Sequence, residues 1–176
     1  DYWINSEKAW QTKLRAGDPG AKTLSYFHMQ LSNEPGGENK YSDSKLIDES
    51  GQMIVYPNKE RLPLYIPTPG NSYGKALISF LDTMSSRIGV SGIYWDEMSG
   101  SYGAYNYGGT WDGVTGELDA RTKDLVRTRS AVPLQLLPMS RKIIDWANSK
   151  NLMLIANSMS RTRTLQDEPF LRFQET

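Results

Sequence analysis

The amino-acid sequence predicts an α/β fold that is built from parallel βα units. Segments whose apolar residues recur at helical spacing alternate with short apolar runs that are rich in β-forming residues. These short runs lack a strict alternation of polar and apolar residues, which is typical of parallel strands that are covered on both faces. The connections between them are long enough for right-handed crossovers. We therefore expect one parallel sheet with helices packed on it.

The first predicted element is a helix over residues 3–16. Trp3, Trp10 and Leu14 recur at helical spacing, which predicts that they form the packed face. The helix is expected to end at Gly17, because glycine commonly terminates helices.

A predicted strand and a long polar segment follow this helix. Residues 23–31 form a short β-rich run directly after a turn. Residues 32–70 are polar and rich in Pro and Gly, and they are too long for an ordinary connector inside a compact domain. We expect this segment to be functional or to contain a small hairpin around residues 46–56.

The second predicted helix covers residues 72–88. Its apolar residues fall on one face of the helix, either Asn71 or Ser72 is expected to cap its N-terminus, and Gly89 is expected to end it. This pattern is the most regular helical signal in the chain.

The remaining elements repeat the same rhythm. A strand is predicted over residues 91–97, and a Gly- and Tyr-rich loop over residues 98–132 leads to a helix at about residues 134–149. Another strand is predicted over residues 152–157, and the run FLRFQET at residues 170–176 begins like one more strand.

The number of predicted units indicates an incomplete domain. A complete (β/α)8 barrel typically needs about 250 residues, whereas this chain has 176. We predict that residues 1–176 are one partial (β/α)8 TIM-barrel domain, which pairs with the remainder of the same barrel or chain.

Composition excludes several classes of function. The 20 basic and 20 acidic residues cancel, and no apolar run is long enough to span a bilayer, so neither nucleic acid nor membrane is an expected partner. The chain has no Cys and a single His, which excludes a thiol nucleophile, a disulfide framework and a His/Cys zinc site. We expect no metal and no cofactor. Carboxylate chemistry remains, and the many Tyr, Trp, Asn, Ser and Gly residues suit a hydroxyl-rich ligand.

Polar side chains occur where the predicted strands end. These residues are His28, Gln30, Asp96, Glu97, Asn157, Ser158 and Glu175. Because ligands of parallel α/β folds bind at the carboxyl ends of the strands, we expect a functional site there.

Strand geometry distinguishes the two adjacent acids. Successive strand residues point to opposite faces, so Tyr94 and Asp96 share one face, while Trp95 and Glu97 share the other. The apolar Trp95 suits the helix layer. Asp96 is therefore expected to be the site carboxylate, and Glu97 is expected to turn towards a neighbouring loop or helix.

The segment GIYWDE and the aromatic, Gly-rich loop after it resemble the strand-end acidic segment of TIM-barrel glycoside hydrolases, in particular the α-amylase and α-galactosidase-like groups. In those groups a Gly-led apolar strand ends in an aspartate that acts as the nucleophile. The resemblance implies that Asp96 has this role, that the substrate is a polysaccharide or glycoconjugate, and that the protein acts in an extracellular, periplasmic or lysosomal-type compartment.

Glycosidic hydrolysis needs two carboxyl groups, which lie about 5 to 5.5 Å apart in retaining enzymes and roughly 6.5 to 9.5 Å apart in inverting enzymes. Asp96 is the expected nucleophile or base, and Glu175 is the expected acid because it follows a different strand. Glu97 is a further catalytic candidate. On opposite faces of one strand, however, Asp96 and Glu97 are not expected to meet this geometry.

Several other side chains are candidates for holding substrate. They are His28, Tyr94, Tyr102, Tyr105, Trp111, Asp112 and Asn157. Each also has a structural interpretation, since the aromatic rings could pack their own loop and the polar groups could bind backbone. Two other functions stay open: a non-catalytic carbohydrate-binding or structural barrel module, and a non-glycosidic α/β enzyme that uses Asp96 for a cation or phosphate.

Overall fold

The computed structural model describes residues 2–158 and 160–173. Within these ranges the chain forms five α-helices and eight strands. The helices are α1 (Tyr2–Gly17), α2 (Gly37–Lys40), α3 (Ser72–Thr83), α4 (Val132–Ser149) and α5 (Arg163–Gln166). The strands are β1 (Leu24–His28), β2 (Gly92–Asp96), β3 (Tyr105–Asn106), β4 (Gly116–Leu118), β5 (Leu125–Thr128), β6 (Ser130–Ala131), β7 (Met153–Asn157) and β8 (Leu171–Phe173).

The central feature is a parallel four-stranded sheet with the order β1-β2-β7-β8. Each strand therefore lies beside the preceding strand of the same sheet, and α3, α4 and α5 lie in the successive connections. In the register, Tyr26 lies opposite Tyr94, His28 lies opposite Asp96, and Tyr94 lies opposite Ile155. The predicted α/β class and the parallel pairing of the second and third predicted strands are confirmed.

The helix signals in the sequence are largely confirmed. The side chain of Asn71 accepts a hydrogen bond from the amide of Gly74 and caps α3. A π-helical turn, Met84–Ile88, extends α3, and Gly89 ends it with a φ of 77°. Glycine adopts this left-handed conformation without the steric cost that a Cβ would add.

The packed face of α1 differs from the prediction. The buried residues of α1 are Ile4 and Gln11, whereas Trp10 is 63% exposed. Trp3 is also partly exposed, and its ring stacks on Phe80 of α3. The predicted stripe of α1 is therefore only partly correct: Trp3 packs against α3 and Leu14 is half-buried, whereas Trp10 faces solvent.

The hydrophobic core lies between the sheet and the helices. Phe27, Ile93, Trp95 and Ala156 point from three neighbouring strands into this layer and are 2% exposed or less. Full burial of a large apolar side chain contributes about 1.5–3 kcal/mol, so these residues stabilise the sheet–helix contact strongly. They also determine which side of each strand faces away from the helices.

The other side of the sheet carries a row of aromatic and aliphatic side chains, which we call the open face. It comprises Tyr26, Tyr94, Ile155, Leu171 and Phe173, and three of these side chains are between 48% and 60% exposed. Tyr94 contacts the rings of both Tyr26 and Phe173. Within the part of the chain that the structure describes, helices thus cover only one face of this four-stranded sheet, although the apolar character of the strands had predicted cover on both.

The two long loops contain structure of their own. In the segment 32–70, the amide of Ile54 donates to the carbonyl of Leu46, which confirms the predicted hairpin. The segment 98–132 contains two antiparallel pairs, β3 with β6 and β4 with β5. Asn106 joins the loops by accepting a hydrogen bond from the amide of Ile47 at 2.9 Å. Both long loops follow the carboxyl end of a strand of the central sheet.

Among the described residues, no helix combines the length and the apolar character that crossing a membrane requires.

Candidate functional site

Polar side chains converge at the carboxyl ends of β1, β2 and β7. His28 and Asp96 are the last residues of β1 and β2, and they lie opposite each other in the register. Asn157 ends β7, the neighbour of β2 on its other side. The parallel sheet therefore brings together three of the residues that the strand-end pattern had selected.

Asp96 accepts hydrogen bonds on both carboxylate oxygens. Tyr26 donates its hydroxyl to Oδ2 at 2.7 Å, and Asn157 donates Nδ2–H to Oδ1 at 2.8 Å. The backbone amide of Glu97 also donates to Oδ1 at 3.1 Å. Donors from three strands or strand ends therefore fix the orientation of this carboxylate. From residues 2–158 and 160–173, Oδ1 receives two donors, whereas Oδ2 receives one.

Glu97 does not continue the alternation of β2. The strand ends at Asp96, and Glu97 has a φ of 46°. A non-glycine residue in this left-handed region costs roughly 1–2 kcal/mol. The turn directs the Glu97 carboxylate to the strand end of β1, where Oε2 lies 3.1 Å from Nε2 of His28. Glu97 does reach a neighbouring loop, as expected. It does not stay on the Trp95 face of the strand, however, because its Oε2 lies beside His28, which is opposite Asp96 in the register.

That loop contact comes from the hairpin in the segment 32–70. Tyr56 donates its hydroxyl to Oε1 of Glu97 at 3.0 Å. The ring of Tyr102, from the second long loop, packs edge-on against Tyr56 with ring centroids 5.1 Å apart. Glu97 thus contacts the first long loop directly and the second through the Tyr56 ring, so the site combines strand ends with loop residues.

A second strained residue lies at the next strand end. Ser158 directly follows β7 and has a φ of 110°. Its hydroxyl accepts a hydrogen bond from the amide of Ser99 at 3.3 Å, and its own amide donates to the carbonyl of Phe173. Strained backbone tends to cluster at functional sites. Glu97 and Ser158 are two of five described non-glycine residues with a positive φ, and both lie where a strand of the central sheet ends.

The phenols of the site have raised pKa values. Desolvation by partial burial, followed by the hydrogen bond to Asp96, raises the pKa of Tyr26 well above its usual range, although the residue as a whole is 60% exposed. Burial and the hydrogen bond to Glu97 raise the pKa of Tyr56 to about 12. Both phenols consequently keep their protons at neutral pH and act as donors to the two carboxylates.

His28 is almost completely enclosed. The residue is 9% exposed, and Nδ1 accepts hydrogen bonds from the amides of Gln30 and Leu31, each at 3.2 Å. Its ring also lies edge-on to Tyr56. The second predicted polar residue of this strand end, Gln30, binds backbone instead: its side chain donates to the carbonyl of Tyr65 and accepts from the amide of Ser101.

The other predicted ligand-binding residues are distributed differently. Tyr94 lies on the open face, two residues before Asp96, and Tyr102 is 48% exposed beside Tyr56. By contrast, Tyr105 packs under the guanidinium of Arg129 at 3.7 Å.

Trp111 and Asp112 bind within their own loop. Trp111 donates Nε1–H to the carbonyl of Thr115. Asp112 accepts from the amides of Val114, Thr115 and Ala131, as well as from the Thr115 hydroxyl. These bonds fix the loop after β3 and do not involve Asp96 or Glu97.

Tyr26 and Tyr56 are not among the site residues that the sequence pattern predicts. Alternation could have found Tyr26, because it lies two residues before His28 on the same strand and hence on the same face. Tyr56 had no comparable signal, since it lies in a polar segment and is 41 residues from Glu97.

Glu175, the predicted acid, lies outside the described residues. Among residues 2–158 and 160–173, no group of three or more His, Asp or Glu side chains is arranged to hold a metal ion. A scan against protein-family models found no matching family, and a search of curated proteins found no matching sequence.

Proposed function

We propose that this chain is part of a (β/α)8-barrel glycoside hydrolase in which Asp96 is the nucleophile or base. The observation that supports this most is the position of Asp96 at the carboxyl end of a parallel strand, where donors from both neighbouring strands orient it. The chain-order arrangement of the four parallel strands is also the order found in such barrels.

The two oxygens of Asp96 have different roles in this proposal. Oδ1 binds Asn157 and the amide of Glu97, which leaves little room for a substrate atom. Oδ2 binds only the Tyr26 hydroxyl among the contacts described above and is directed to the side of the open face. Oδ2 is therefore the atom that would attack the anomeric carbon or activate a water. The Tyr26 hydroxyl would position it.

Hydrolysis also needs an acid that protonates the leaving oxygen. Glu175 remains our candidate, because it follows β8 in the sequence, whereas Asp96 is the last residue of β2. Glu97 is a weaker candidate for this role, because both of its oxygens accept hydrogen bonds, from His28 and from Tyr56. A group that already accepts on both oxygens is poorly placed to donate a proton.

The substrate class follows from the side chains around the carboxylates. Phenol, amide and imidazole groups surround Asp96 and Glu97, and the exposed ring of Tyr102 lies one contact away from Glu97. Aromatic faces and neutral polar groups suit the alternating apolar and hydroxyl surfaces of a sugar. We therefore propose a polysaccharide or a glycoconjugate as substrate.

The test is a screen of the complete protein against a panel of glycans, followed by three variants. Asp96→Asn should lower kcat on the order of a hundredfold or more, because it removes the negative charge that the oxocarbenium-like transition state needs. Asp145→Asn is the matched control, because Asp145 is exposed on α4. Glu97→Gln should lower kcat by much less, about tenfold.

Two results would count against this assignment. Near wild-type turnover by Asp96→Asn would remove Asp96 from the chemistry. Complete loss of turnover in Glu97→Gln, with Asp96→Asn active, would transfer the catalytic role to Glu97.

One observation favours a carbohydrate-binding module as the second candidate. The Tyr102 ring is exposed and packs edge-on against Tyr56. An aromatic ring held in this way can bind a sugar without cleaving it. Calorimetric binding of a glycan that the protein never cleaves, lost in Tyr102→Ala and retained in Asp96→Asn, would favour this function over hydrolysis.

A further inference from the structure

We propose that His28 is a positioning residue of this site. Its imidazole is the tautomer with the proton on Nε2, and it donates that proton in a hydrogen bond that holds the Glu97 carboxylate beside Asp96. The part of this inference that concerns catalysis rests on the proposed function. The part that concerns the imidazole depends only on the hydrogen bonds of the strand end.

The proton position follows from the backbone. The amides of Gln30 and Leu31 both point at Nδ1 of His28, at 3.2 Å each. A ring nitrogen that accepts hydrogen bonds has no proton of its own, so the proton of the imidazole lies on Nε2. Nε2 is 3.1 Å from Oε2 of Glu97, and the ring therefore donates to that carboxylate.

The burial of the ring makes this arrangement specific. The side chain of His28 is 5% exposed, against 31% for Glu97, so the donor is enclosed while the acceptor reaches the site. The two backbone amides belong to the turn that directly follows β1. The fold itself thus determines which nitrogen faces the site, before any ligand binds.

Glu97 needs such a partner because of its backbone. Its φ of 46° directs the carboxylate towards β1, and two donors hold it there, the imidazole on Oε2 and the Tyr56 hydroxyl on Oε1. With both oxygens accepting, Glu97 acts as a fixed negative group next to Asp96, and the proton for the leaving group comes from another residue. Removal of either donor should let the carboxylate move.

The first experiment determines the tautomer and needs no substrate. Because His28 is the single histidine of the chain, ¹⁵N-histidine labelling gives its two ring nitrogens without ambiguity. We expect Nδ1 to have a pyridine-type chemical shift and Nε2 a pyrrole-type shift near neutral pH. A pyrrole-type Nδ1 would overturn the proposal.

The second experiment separates the two hydrogen-bonding functions of the ring. Gln can present an N–H donor near the position of Nε2, whereas Asn can present an acceptor near the position of Nδ1 but does not reach Glu97. We expect the ¹³Cδ chemical shift of Glu97 to be close to wild type in His28→Gln and clearly displaced in His28→Asn. The same Glu97 shift in all three proteins would also overturn the proposal.

Activity then tests the catalytic part. With a hydrolysed glycan in hand, His28→Asn should lose on the order of tenfold in kcat with little change in KM, because a displaced carboxylate weakens the transition state. His28→Gln should restore most of that loss. Equal activity in both variants and wild type would overturn the positioning role. If the wild-type protein cleaves no glycan, the proposed function fails, while the two NMR measurements still decide the role of His28.

Discussion

Gly92 begins the strand that ends in Asp96, and we predict that Gly92→Ala destabilises the protein and disturbs its site. A Cβ at Gly92 would lie 2.1 Å from the carbonyl oxygen of Met153 and 2.8 Å from Cδ2 of Leu24. Ordinary van der Waals contacts of a Cβ are 3.4–4 Å. Strand β7 would therefore have to move by more than an ångström, because its carbonyl oxygen cannot rotate away as a side chain can.

The magnitude follows from this backbone clash. Overpacking of a well-packed site typically costs about 1–3 kcal/mol, and a clash with backbone in a central strand pair belongs at the upper end. At about 2–4 °C per kcal/mol for a chain of this size, the melting temperature should fall by roughly 6–12 °C. Because the same strand pair aligns Asp96 with Asn157, any glycosidase activity should fall as well.

Urea unfolding of the complete protein, followed by circular dichroism, measures this change. Gly70→Ala is the matched control, since a Cβ at Gly70 meets nothing within 4 Å and its φ is not positive. It should change the free energy of unfolding by no more than about 0.5 kcal/mol. If Gly92→Ala unfolds at the same urea concentration as the control, the close approach of β2 and β7 does not exist as described.

Three further predictions concern ionisation and association. In Glu97→Gln the pKa of Tyr56 should fall below about 12, because a negative charge is removed while the burial of the phenol remains. An ultraviolet titration of the phenols in the variant and in wild type measures this shift, and coinciding curves would contradict it. Burial raises the pKa of Asp112, but the hydrogen bonds from Thr115 and from backbone amides lower it by more, so the net shift is downward. The contribution of the Asp112 carboxylate to stability is therefore present above the unfolded pKa of about 4 and is lost as the pH falls through the folded pKa. Asp112→Asn should lower the free energy of unfolding at pH 7, and this loss should become smaller as the pH falls. A difference in unfolding free energy that stays constant from pH 7 to 2 would refute this sign. Finally, residues 1–176 alone should associate or unfold, because the open face leaves aromatic side chains in water, and a monomer by light scattering with cooperative melting would show otherwise.

Much of the sheet could be predicted because local pattern and tertiary structure agree there. The period of two in β2 places Trp95 against the helices and Tyr94 and Asp96 on the other side, and the structure has this arrangement. The cap by Asn71 and the end at Gly89 follow from local chemistry that needs no tertiary information.

The incorrect and the missing predictions each have a physical cause. Alternation applies only while the backbone is extended, and Glu97 leaves the strand with a positive φ, so its side chain could not be placed by counting. The spacing of aromatic residues in α1 predicts which residues share a face of the helix. It does not determine which face packs against the rest of the protein, and the buried residues are Ile4 and Gln11. Tyr56 reaches Glu97 through a hairpin whose position no local pattern encodes.

The strand end of β2 is difficult to explain by stability alone. Two adjacent carboxylates repel each other, and a left-handed Glu97 costs roughly 1–2 kcal/mol that a glycine would avoid. The chain nevertheless supplies four side-chain donors from three separate segments to hold these two acids in place, namely Tyr26 and His28 of β1, Tyr56 of the hairpin and Asn157 of β7. A hydrogen-bonded network of this kind compensates for the burial of charge, but it stabilises a fold less effectively than apolar side chains of similar volume would. The cost is concentrated at the carboxyl ends of parallel strands, where ligands of such folds bind, which agrees with the role that we propose for Asp96.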